Sequence, residues 1–190
     1  MKYHYIITSI CLLLLGNISK AQFQVGGNAN VLIPLSPTSI YYKSGVGGGI
    51  VGKYLFESKF ALGGFFNYNF LSPSSATFGA TFTMMNYGAS MEYNFFEDPS
   101  TPYLGVDFGQ YRFRTNISGF SQGFSGTNFN FDNYTSLGIA PNIGYILSSS
   151  DLLSFNFNFK YHQMLQTAPQ GFNYQFIQLT AGIIFTLGER

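Results

Sequence analysis

Apolar and polar side chains alternate residue by residue over most of the chain after residue 21. In the last such segment, one face carries Ile177, Leu179, Ala181, Ile183, Phe185 and Leu187, and the other carries Gln178, Thr180, Gly182, Ile184 and Thr186. A period of two is that of a β-strand with one apolar face. The pattern predicts eight strands, over residues 22–33, 46–56, 59–70, 85–95, 103–114, 136–147, 153–162 and 177–187.

The connections between these strands alternate in length. Short turns are expected around Glu57-Ser58, Glu97-Asp98-Pro99 and Ser148–Asp151, and longer links rich in Ser, Gly and Pro at Pro34–Ser44, Ser72–Thr81, Thr115–Asp132 and Met164–Asn173. Outer-membrane barrels have short periplasmic turns and longer external loops. An open sheet edge is not tolerated in hydrocarbon, so the sheet must close. The sequence therefore predicts an all-β fold, a transmembrane antiparallel up-and-down β-barrel of about eight strands.

The N-terminus has the features of a secretory signal peptide. A basic start at Lys2 precedes the apolar run from Ile6 to Leu15, and small residues stand at Ser19 and Ala21. This order predicts cleavage after Ala21, with residues 1–21 as signal peptide and 22–190 as the outer-membrane barrel. The alternative is a single anchoring helix, but the run is shorter than the roughly 17–25 residues such a helix needs.

Composition favours a membrane-embedded barrel. Charged residues are 9% of the chain, against about 25% in an ordinary soluble domain, while Phe and Tyr account for 22 and 14 residues. No apolar run after the signal is long enough for a spanning helix. A soluble secreted barrel of lipocalin type is the rival fold, and it would require a charged outer face. Because the overall charge is close to neutral, nucleic acid is not an expected partner.

The chain resembles the OmpA/OmpX-type, porin-like family of small eight-stranded outer-membrane barrels. The resemblance lies in the strand pattern, in the alternation of loop lengths and in the C-terminal run Ile183–Arg190. The resemblance covers the whole mature chain. It implies an amphipathic last strand with a late aromatic residue, here Phe185, which the barrel-assembly machinery would read during insertion. Unlike family members that end on the aromatic itself, this chain continues to Gly188-Glu189-Arg190. These motifs are architectural and specify fold better than function.

Strand parity predicts six titratable side chains inside the barrel. Those expected in the periplasmic half are Lys53, Lys59, Glu92 and Asp107, and those expected nearer the outer end are Lys160 and His162. Buried charges are normally paired, so we expect an ion pair from Lys53 or Lys59 to Glu92 or Asp107. The simplest interpretation is a structural network that fills the lumen. The alternative is a gate or a selectivity element of a narrow pore.

Two further features bear on function. His162 is the only histidine after the signal, and Ser154 on the same strand face lies some 26 Å away at about 3.3 Å per residue, so catalysis by a Ser–His pair is not expected. No cysteine follows Cys11, and neither a metal site nor another cofactor is predicted. The longest link is rich in glycine and phenylalanine, and Phe120, Phe124 and Phe129 are candidate contacts for a partner.

The sequence thus predicts a non-enzymatic integral outer-membrane protein that is structural or narrowly porin-like, with outer-membrane lipid as its surroundings. Two alternatives stay open. One is an accessory subunit of a larger envelope complex for secretion, assembly or uptake, and the other is a lipid-modifying barrel enzyme that depends on His162.

Overall fold

The computed structural model describes residues 22–56, 59–74, 80–117, 134–168, 171 and 173–187. Eight β-strands dominate this part of the chain, with one short 3-10 turn at Thr38–Ile40 between the first two. The strands are β1 Gln22–Pro34, β2 Tyr42–Phe56, β3 Phe60–Pro73, β4 Ala80–Asn94, β5 Thr101–Ile117, β6 Tyr134–Ser148, β7 Leu153–Met164 and β8 Gln175–Leu187. None of the helices in the described ranges is long and apolar enough to cross a membrane.

Each strand pairs antiparallel with the next one in the chain, and the last strand pairs with the first, so the sheet closes into a barrel. The closing ladder runs without interruption from Phe23 opposite Leu187 to Pro34 opposite Phe176. Closure gives every strand two neighbours and removes the exposed edge that an open sheet would have. The predicted fold class, an antiparallel up-and-down barrel of eight strands, is confirmed.

The two ends of the barrel differ, and we name them by their connections. At the turn end lie Gln22 of β1, Leu187 of β8 and the connections of residues 95–100 and 149–152, and the loop end is the opposite end of the strands. The predicted boundaries lie within five residues of those observed. The largest differences are at two strand starts: β4 begins at Ala80 rather than Met85, and β2 begins at Tyr42 rather than Val46, with an irregular register between Tyr42 and Gly45.

The strands alternate between a buried inner face and an exposed outer face, with residue-by-residue alternation along β1 and β6. The outer face is almost continuously apolar. Its large side chains include Phe23, Val31, Ile50, Leu62, Phe70, Met91, Leu104, Phe108, Ile143, Phe157, Leu179 and Phe185, each more than one third exposed. Such a surface exceeds by far the apolar patches of soluble monomers, so the soluble barrel considered above does not fit the structure.

Inward-facing glycines make room for large side chains from neighbouring strands. A β-carbon on Gly144 would lie 2.4 Å from Cζ of Tyr103, and one on Gly138 would lie 2.6 Å from the ring of Tyr111. Both rings are almost completely buried, at 1% and 0% exposure. The interior of a barrel of eight strands is just wide enough to be filled by side chains, and these glycines leave the space that the tyrosine rings occupy.

Candidate functional site

In the part of the chain that the structure describes, two ion pairs lie inside the barrel. Lys53 Nζ lies 2.5 Å from Glu92 Oε2, and Lys160 Nζ lies 2.5 Å from Asp107 Oδ2. The exposed fractions of these side chains are 2% for Lys53, 10% for Glu92, 15% for Lys160 and 2% for Asp107. Each pair connects strands that are not neighbours, β2 with β4 and β5 with β7. The charges therefore bridge strands that are two apart in the barrel wall, over the inward face of the strand between them.

Aromatic rings lie against both ammonium groups. Lys53 Nζ is 5.5 Å from the centre of the Tyr103 ring, and Lys160 Nζ is 5.6 Å from the centre of the Phe65 ring. The Tyr103 hydroxyl donates to Asn156 Oδ1 at 2.9 Å and accepts from Asn158 Nδ2 at 2.7 Å. This part of the lumen is occupied by paired charges, rings and amides.

The inward position expected for Lys59 is wrong. Lys59 lies in the turn before β3, and its ammonium forms an ion pair of 2.9 Å with Glu97 of another short turn. The two side chains are 44% and 69% exposed. Their hydrogen bond raises the pKa of Lys59 and lowers the pKa of Glu97. The alternation of inward and outward side chains did not apply to Lys59, because β3 and its pairing with β2 begin only at Phe60.

His162 is fully buried and holds two hydrogen bonds inside the barrel. Its Nδ1 lies 2.8 Å from the Tyr111 hydroxyl, and its Nε2 lies 3.0 Å from Gln178 Oε1. A neutral ring with its proton on Nε2 satisfies both contacts, since it accepts from the tyrosine hydroxyl and donates to the amide oxygen. Neither partner is a serine or a carboxylate, so the arrangement lacks the nucleophile and the acid of a hydrolytic site.

Five aromatic rings close the interior at the loop end, and we call this cluster the aromatic cap. Its members are Tyr42, Phe82, Phe113, Tyr174 and Phe176, none more than 4% exposed. The ring centres of Tyr42 and Phe82 are 4.7 Å apart, and those of Phe113 and Tyr174 are 4.9 Å apart. The Tyr42 hydroxyl donates to that of Tyr174 at 3.2 Å.

The aromatic cap was not predicted from the sequence. Its members lie on β2, β4, β5 and β8 and in the link just before β8, so most of them are far apart in sequence. Phe113 and Phe176 do stand at inward positions by parity, which is a signal that could have been noticed. The alternation of apolar and polar residues does not show that these positions meet at one end of the barrel, because the register between neighbouring strands decides which inward residues are in contact.

Other predictions fall outside the described residues. The signal peptide at residues 1–21 lies there, as do the candidate contact residues Phe120, Phe124 and Phe129 of the longest link. Within the ranges that the structure describes, no group of three or more His, Cys, Asp or Glu side chains could hold a metal ion.

Comparison with known proteins gives the fold. No family model matches this sequence, and a search of curated proteins finds no significant match. Among solved structures, Neisserial surface protein A aligns with a TM-score of 0.68 at 18% identity, over 89% of this chain and 100% of that one. OprG from Pseudomonas aeruginosa aligns at 0.61 and 14%, over 89% and 97%. Ail from Yersinia pestis aligns at 0.55 and 12%, over 88% and 97%.

These structures are small eight-stranded outer-membrane β-barrels. The resemblance noted from the sequence is thus confirmed at the level of the fold, and the chain has the architecture of this class of membrane protein. At identities below one fifth the comparison concerns the fold alone, and function has to be argued from the site.

Proposed function

We propose that the protein is a non-enzymatic, non-conducting integral barrel of the bacterial outer membrane, exported by a signal peptide that is cleaved after Ala21. The observation that carries the proposal is the combination of an apolar outer face with an interior closed at two levels. The ion pairs Lys53–Glu92 and Lys160–Asp107 lie inside the lumen, and the aromatic cap fills the loop end.

The outer face supports insertion in a bilayer. On β1 and β8 all large outward side chains from Phe23 to Ile33 and from Ile177 to Leu187 are apolar. Outward tyrosines stand on this surface, among them Tyr54, Tyr68, Tyr93 and Tyr145, and tyrosine is enriched at membrane interfaces. Outer-membrane lipid is therefore the proposed partner of the barrel wall, and the barrel-assembly machinery is the proposed partner during insertion.

The filled interior argues against a pore. An ion that crossed the barrel would have to displace paired charges and then pass rings with no more than 4% exposure. The geometry of His162 also argues against a lipid-modifying enzyme, because the ring is fully buried and bound by Tyr111 and Gln178. These observations support a barrel wall that spans the membrane and encloses a filled interior.

Two measurements test the proposal. Single-channel recording of the purified protein in a planar bilayer should show no conductance steps, while an open porin in the same apparatus shows that steps can be detected. Folded insertion is checked separately by a change in gel mobility on boiling. Regular steps from the folded protein would refute the closed lumen. Recovery of the protein outside the outer-membrane fraction would refute the location.

Purification from native membranes in mild detergent distinguishes this proposal from the accessory-subunit alternative. A lone barrel supports the self-contained protein. Stoichiometric recovery of a larger barrel or a lipoprotein would show that it works as a subunit.

A further inference from the structure

The exposed charges at the two ends of the barrel differ in sign. At the loop end the described charges on the outer surface are all cationic: Lys43 and Arg114 are exposed, and Arg112 is half-buried. At the turn end the described exposed carboxylates are Glu97, Asp98 and Asp151, together with the cation of Lys59. In an oriented barrel this separation places a positive surface on one side of the membrane.

Arg112 and Arg114 share the outward face of β5, two residues apart and about 7 Å along the strand. The outward positions before them on the same strand include Leu104 and Phe108, which are 48% and 51% exposed and belong to the apolar surface. On neighbouring strands Arg112 stands opposite Met85 and Thr135, and Arg114 stands opposite Thr83. The two arginines thus follow the apolar part of the strand toward the loop end, which is where the wall of an embedded barrel would meet lipid headgroups.

No carboxylate among the described residues forms an ion pair with either arginine. The position directly before them on the same face is Gln110, which accepts a hydrogen bond from the outward hydroxyl of Tyr87. Among the described residues, this surface therefore offers two cations and polar groups, and no acidic side chain pairs with the cations. Arginine prefers planar, bidentate contact with phosphate or carboxylate oxygens, and its long apolar stem can lie along the bilayer while the head reaches the interface.

We infer that the β5 surface formed by Arg112 and Arg114 binds the phosphate groups of a phosphorylated glycolipid in the surrounding outer leaflet. The inference rests on the proposed function, since it requires the barrel to be embedded with its loop end outward. Spacing of about 7 Å lets the two side chains contact separate oxygens or separate phosphates of one headgroup.

The experiment uses the full mature barrel folded in zwitterionic detergent and incubated with diphosphoryl lipid A, with binding counted by native mass spectrometry. Arg112→Gln/Arg114→Gln should lower the affinity by about tenfold or more, because a hydrogen bond to a charged group is lost at each position. Lys59→Gln is the matched control, since it removes an exposed cation at the opposite end. Arg112→Lys/Arg114→Lys keeps the charge and should retain intermediate binding.

The outcomes separate the inference from the proposed function. Equal binding by the glutamine variant and the wild type, or equal binding of dephosphorylated glycolipid, would overturn the phosphate site. Displacement by millimolar inorganic phosphate would show that free phosphate, rather than the lipid, is the ligand. A wild-type barrel that folds into vesicles but shows no preference for the phosphorylated lipid overturns this inference alone. A wild-type chain that does not fold into vesicles overturns the proposed function as well.

Discussion

Replacing Glu92 with glutamine removes one charge of an ion pair that the barrel holds away from solvent. The exposed fraction is 2% for the Lys53 side chain and 10% for that of Glu92. In the variant the Lys53 ammonium stays inside the lumen with an amide as its neighbour and the Tyr103 ring 5.5 Å away. Glutamine keeps the size and one acceptor oxygen, so the change isolates the charge.

The expected cost follows from the burial. Removing one partner of a buried ion pair typically costs about 3–5 kcal/mol, because the remaining charge is left uncompensated. The amide oxygen and the ring offset part of this loss, since a desolvated cation–π contact contributes up to about 2 kcal/mol. We therefore expect Glu92→Gln to lower the free energy of unfolding by about 2–3 kcal/mol, which is roughly a hundredfold change in the unfolding equilibrium.

The assay is urea unfolding of the barrel in lipid vesicles, followed by circular dichroism and gel mobility because the chain has no Trp. Glu97→Gln is the matched control. It breaks the exposed pair with Lys59, and exposed pairs contribute little, so no measurable change is expected. The double variant Lys53→Met/Glu92→Leu should lie close to wild type, because a buried pair and apolar residues of similar size are often nearly equivalent.

If Glu92→Gln were as harmless as Glu97→Gln, the Lys53 ammonium would not be an uncompensated buried charge in the variant. That result would mean that Lys53 reaches water in the lumen and that the barrel interior is not closed at this level. A double variant as unstable as Glu92→Gln would show instead that the loss of unfolding free energy comes from altered side-chain packing rather than from the uncompensated charge.

Three other predictions concern the interior. Gly144→Ala should destabilise the barrel by about 1 kcal/mol or more, since its β-carbon would lie 2.4 Å from Cζ of Tyr103. Gly52→Ala is the control: its β-carbon meets only an ordinary contact at 3.8 Å, so it should be neutral or stabilise by about 0.5 kcal/mol. Equal effects of the two substitutions in urea unfolding would contradict the close packing of Gly144 against Tyr103. Phe176→Ala removes a ring with 0% exposure from the aromatic cap and should cost about 3 kcal/mol or more, measured in the same way; a small loss would show that the cap is loosely packed. His162→Ala should leave the membrane lipid profile unchanged while lowering stability, and an altered profile by mass spectrometry would revive the enzymatic alternative.

The strands and their faces were predictable because barrel geometry repeats every two residues. Phe157 and Asn158 are adjacent, yet the first faces outward and the second inward. Whether a strand position is odd or even can be read from the chain, and it assigns each residue to its face. Parity was misleading at Lys59, because this residue precedes the ladder and lies in a turn. Two predicted strands were also too short: β4 begins at Ala80 rather than Met85, and β2 begins at Tyr42, before an irregular register that ends at Gly45.

The positions of the interior groups relative to one another required the tertiary structure. Parity placed Lys53 and Glu92 on inward faces, but only the stagger of β2, β3 and β4 brings their charged atoms to 2.5 Å. The same holds for His162, which meets Tyr111 and Gln178 from β5 and β8 rather than any group of its own strand.

By itself, the sequence determined the strand number, the inward and outward faces and the closed barrel, because local alternation and the need to pair every backbone group leave few other solutions. Only the tertiary structure decided which inward side chains meet, that Lys160 pairs with Asp107, and that five rings close the loop end. Those contacts depend on how far neighbouring strands are shifted against each other, and a shift of two residues preserves every face while changing every partner.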